Sequence, residues 1–161
     1  MVLARVIYEL FETEAGIADV ADRAEPVYLS RQLRLEFTDT TPVFIAWTWG
    51  LLPESDYHVG WSHESFCKGP LEVELDATRT AIWIKLVGHS VSLHFRDAEQ
   101  QVLEVRSPET TVFCCSFEQW WHADTLYIGR SLPEAVGDPG GYHNHPLQCA
   151  GQPPPPRRPV H

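Results

Sequence analysis

The stretch "SVSLHFRDAEQQVLEVRSPETTVFCCSFEQWWHADTLYIG", Ser90 to Gly129, decides the fold. In its first eight residues Val91, Leu93 and Phe95 fall on one face of an extended chain. Ser92, His94 and Arg96 take the other, which is the period-two alternation of a half-buried strand. "AEQ" then joins this run to "QVLEVRS" as a hairpin. "SPET" turns the chain into "TVFCCSF", where β-branched and aromatic residues dominate, and "TLYIG" follows the tryptophan pair. These segments predict an antiparallel meander.

Toward the N-terminus, "LRLEF" (Leu33 to Phe37) alternates in the same way, and "DTTP" turns it into "VFIAWTWG". That is a second hairpin, and the whole adds up to a twisted sheet of about five or six strands. Leu3, Val6, Ile7, Leu10 and Phe11 recur at helical spacing. This favours an amphipathic helix over one sheet face, although "RVIYELF" also fits an edge strand. "DATRTAIWIKLVGHS" is expected to hold a short helical turn around Trp83 and Ile84, ended by Gly88. The expected class is α+β, mainly β, with one antiparallel meander sheet and one or two short helices.

A chain of 161 residues suits a single domain. Residues 1–136 are read as that domain. From Gly137 the sequence becomes "GDPGGYHNHPLQCAGQPPPPRRPVH", and residues 137–161 are read as a Pro/Gly-rich extended or disordered tail. Near the N-terminus Arg5, Glu9 and Glu12 interrupt the apolar residues before a secretory core or a membrane span can form. The expectation is a cytoplasmic protein without a membrane partner. Cys67, Cys114, Cys115 and Cys149 are expected to be free thiols, and the adjacent pair should project to opposite faces of a strand.

The formal net charge is −10. Asp138, Arg157 and Arg158 give the segment after Val136 a charge of +1, leaving −11 on residues 1–136. Such a body works against nucleic-acid binding, which needs clustered lysine and arginine, and would attract a basic protein. No Gly-rich phosphate loop or nucleophile elbow is present in the sequence, and no cofactor is called for.

Three constellations remain. "PESDYHVGWSHE" puts Glu54, Asp56 and Glu64 beside Tyr57 and Trp61, an interface composition, although a strand through Tyr57, Val59 and Trp61 with solvated charges explains it as well. Trp120 and Trp121 cannot both enter one core from a regular strand, so one of them should be exposed. His122 and Asp124 would share a face if extended, as an acid–base pair would, but "HAD" reads more simply as a hairpin connection. His58, His63 and Cys67 are zinc-type donors at irregular spacing, so no metal site is assigned.

Leu33 to Trp49, the "QVLEV" strand and "TVFCCSFEQWWHADTLYIG" together resemble the small, acidic, β-rich immunity proteins of bacterial polymorphic toxin systems, over roughly residues 31–130. The resemblance implies a cytosolic protein that binds a toxin domain and occludes its active site. It carries over no residue roles. On this reading Tyr57, Trp61 and Trp121 anchor a basic partner, and Glu54, Asp56, Glu64 and Asp124 steer it. The alternative is a small hydrolase or metal-dependent enzyme built on His58, His63 and Cys67 or on His122 and Asp124.

Overall fold

The computed structural model describes residues 1–11, 26–29, 31–48, 58–67, 69, 73–96, 98, 100–119 and 122–132; for 48, 58, 116–119 and 122–125 it describes the backbone alone. The described residues form ten strands: β1 (Leu3–Leu10), β2 (Val27–Leu29), β3 (Gln32–Phe37), β4 (Val43–Thr48), β5 (His58–Ser62), β6 (Val73–Asp76), β7 (Ser92–Phe95), β8 (Val102–Arg106), β9 (Thr111–Gln119) and β10 (His122–Gly129). They pair as two antiparallel five-stranded sheets in the orders β5-β4-β3-β1-β6 and β2-β10-β9-β8-β7. The expected hairpins β3–β4 and β7–β8 and the meander β7 to β10 are present.

Three expectations are corrected. The sheet is not one meander but two sheets that share a core. Residues 3–10 form a strand, not a helix, because they pair with β3 on one side and β6 on the other. No helix occurs among the described residues. The segment expected to hold a helical turn is a run of hydrogen-bonded turns, in which the N–H groups of Ile84 and Val87 donate to Thr80 O and Trp83 O. Gly88 closes the run at φ 82°.

The core lies between the sheets. From the first come Val6, Tyr8, Leu33, Leu35, Val43, Ile45, Trp47 and Val59; from the second come Leu29, Leu103, Val105, Val112, Cys114, Leu126 and Ile128. These are alternate positions along each strand, as the pleat requires. The turn run adds Ile82, Trp83 and Leu86, and Trp83 Nε1–H donates to Tyr8 Oη at 2.8 Å inside this core. Cys114 faces the core, while Cys115 joins Val102 and Tyr127 in a smaller cluster on the outer face of the second sheet. Neither cysteine is in a disulfide, and both are buried. Burial, and secondarily the neighbouring Cys115, pushes the Cys114 thiol well up.

Among the described residues, two sets of backbone hydrogen bonds tie the sheets together. Residues 88–91 run beside the start of β1: Gly88 N–H donates to Leu3 O, Leu3 N–H to His89 O, and Val91 N–H to Met1 O, before the chain continues into β7. On the other side, Val59 N–H of β5 donates to the carbonyl of Gln100 in the β7–β8 turn at 2.8 Å.

Candidate partner-binding surface

Among the described residues β5 is the last strand of the first sheet and pairs only with β4. Its alternation places Val59 and Trp61 on the core side, opposite Trp47 and Ile45. Val59 is enclosed, but Trp61 lies at the rim and remains 41% exposed. With Ile84 at 50%, it is one of two large exposed apolar side chains among the described residues. His63 packs edge-on against the indole, with ring centres 5.8 Å apart and planes at 88°. The β3–β4 turn holds the imidazole, whose Nδ1 lies 3.0 Å from Thr41 Oγ1 and 3.1 Å from Pro42 O. Because Pro42 O can only accept, Nδ1 carries the proton in that contact. Glu64 is exposed and its N–H donates to Ser62 Oγ at 3.0 Å, which bends the chain away after β5.

The outer face of the first sheet carries a second feature that motif reading missed. Arg34 donates to Glu9 at 2.8 Å and to Glu74 at 2.7 Å, and its Nε stands 3.2 Å from Glu36 as an ion pair without a hydrogen bond. Arg5 spans Glu36 at 3.1 Å and Asp76 at 3.4 Å. Burial alone would lower the Arg34 pKa, but the hydrogen bond to Glu74 and the charges of Glu9, Glu74 and Glu36 together raise it. Four carboxylates therefore share two guanidinium groups across β6, β1 and β3, which leaves this face negative. Ile7, between Arg34 and Asp76 in register, is buried here beside both arginines, whose aliphatic stems can cover it. Its sequence signal was alternation: Arg5 and Glu9, then Gln32, Arg34 and Glu36, then Glu74 and Asp76.

The network continues inward. Gln32 Nε2 donates to Glu9 and, at 2.8 Å, to Ser65 Oγ, while Gln32 Oε1 accepts from the Phe66 N–H at 3.1 Å. Ser65 Oγ also bonds the backbone of Cys67. These bonds pin residues 65–67 to the sheet.

Of the residues singled out in sequence, Trp61, His63 and Glu64 come together at one end of β5. Glu54, Asp56, Tyr57 and Trp121 lie outside the described residues, as do Trp120, Cys149 and the tail. "HAD", expected as a hairpin connection, falls within β10, which begins at His122 paired with Gln119 and shifts register before Thr125, so His122 to Asp124 form an irregular start to the strand. Cys67 is disulfide-bonded, which corrects the expectation of a free thiol there. Among the described residues no group of three or more His, Cys, Asp or Glu is placed to hold a metal ion, and no helix is long and apolar enough to cross a membrane. Comparison with protein-family models, curated proteins and solved structures finds no match to this chain.

Proposed function

We propose that this protein is a non-enzymatic binding module, an immunity-type inhibitor that occludes a basic partner such as a toxin domain. The observation that carries the reading is Trp61, an indole left at the sheet rim beside exposed Glu64 on a chain of net charge −10. An aromatic anchor with acidic neighbours is the composition expected where a basic protein docks. The acidic face of the first sheet supports it by adding a negative field that the two arginines hold in place.

Cytosolic placement belongs to the same proposal. The disulfide at Cys67 opposes it, since a reducing cytosol opens such bonds. A thiol count on protein taken from its native cells decides between the two compartments. The partner is sought by affinity capture from those cells and by testing the product of the adjacent open reading frame. With that partner in hand, Asp56→Lys combined with Glu64→Lys slows association and flattens its salt dependence. Unchanged rates remove the electrostatic half of the proposal.

A further inference from the structure

Hydrogen-bond direction along β5 leads one step further, and this step rests on the protein-binding reading. In an antiparallel ladder the N–H and C=O of one residue both point to the same neighbouring strand, and those of the next residue point the opposite way. Val59 sends its N–H away from β4, to Gln100 O. His58, Gly60 and Ser62 must then supply the bonds to β4, opposite Thr48, Ala46 and Phe44. Trp61 has the same parity as Val59, so its N–H and C=O also face outward. No backbone hydrogen bond occupies Trp61 on that side among the described residues. Among the described residues the exposed indole therefore sits on an unoccupied backbone donor and acceptor, while Gln100 O takes the outward N–H of Val59.

We infer that Trp61 is the docking point for an extended, lysine- or arginine-bearing segment of the partner, which adds to the first sheet beside β5. The backbone of Trp61 supplies one pair of ladder bonds, its indole supplies apolar area and a π-face for a cation, and exposed Glu64 supplies charge complementarity. A strand added here meets the β7–β8 turn at Val59, so the segment is short and extends toward His63.

The test uses the full chain and an acetylated, amidated peptide of four Thr-Lys repeats, with four Thr-Glu repeats as control, followed by amide hydrogen exchange in NMR. The expected result is saturable slowing of the Trp61 amide by about tenfold with the lysine peptide. Val59 and Gly60 stay unchanged because they are already bonded. The glutamate peptide has no effect. Trp61→Pro removes the outward N–H without breaking a bond to β4, a position where an edge strand tolerates proline. It abolishes peptide binding, whereas Trp61→Val, which keeps the N–H, weakens it. Equal binding by these two variants, or equal protection by both peptides, overturns the inference. So does protection that grows with protein concentration alone, which would assign the edge to a second copy of the chain. Failure here leaves the broader reading to be judged by the partner's own association kinetics.

Discussion

Gln100 adopts φ 54° in the turn between β7 and β8, a left-handed conformation costly for a residue with a side chain. Its carbonyl holds Val59 of the other sheet, so the strained residue is also a tie between the layers. Gln100→Gly keeps the carbonyl and relieves the strain, and urea unfolding is expected to show a gain of about 0.5–1 kcal/mol. Gly88, at φ 82° with open space where a Cβ would stand, gives the opposite case: Gly88→Ala loses about 1 kcal/mol from backbone strain alone. In the core, Tyr8→Phe strands the buried Trp83 Nε1–H and costs about 1–3 kcal/mol. At this scale Gly88 as a chain-stop and the opposed faces of Cys114 and Cys115 were readable from residue type. Gln100 was not, because nothing in its chemistry favours a positive φ.

Why β1 resembles a helix in sequence is a matter of its place in the sheet. Apolar residues occur at both parities because Val6, Tyr8 and Leu10 face the core while Ile7 is buried on the other side, beside Arg5 and Arg34. A strand buried on both faces loses its period-two signature. Its partners are also remote: β3 lies some way along the chain and β6 further still, so no local hairpin signal exists for either pairing. The hairpins β3–β4 and β7–β8 had both signals and were read correctly. On the outer face Arg34 holds buried Glu9, so Arg34→Ala leaves that carboxylate with less compensation. A loss of about 3 kcal/mol is expected, measured by denaturant titration. A near-neutral result would mean that Gln32 alone satisfies Glu9.

For the molecule as a whole, the charge balance was legible from composition, but its arrangement into an arginine-braced acidic face required the sheet order. Stability should respond to pH at both ends. Hydrogen bonds from the Thr78 side chain and backbone, helped by Arg5, hold the Asp76 carboxyl below its usual range. Its contribution is present above about pH 4 and is lost as pH falls through the lowered value, so Asp76→Asn flattens the acid limb of the stability profile. The raised Cys114 thiol acts in the opposite sense: its contribution is present below about pH 8.5 and declines as pH rises beyond the unfolded thiol value. In denaturant without reductant, an alkylating reagent is expected to label Cys114 and Cys115 and to leave Cys67 unlabelled. A labelled Cys67 contradicts the disulfide.

The most direct measurement is the equilibrium affinity of Trp61→Ala for the partner, compared with the unaltered chain by calorimetry, in protein first shown to retain its unfolding midpoint. An anchoring indole predicts a loss of about 30-fold, equivalent to about 2 kcal/mol. An affinity that does not change would place the partner elsewhere on the molecule and contradict a docking role for the β5 rim.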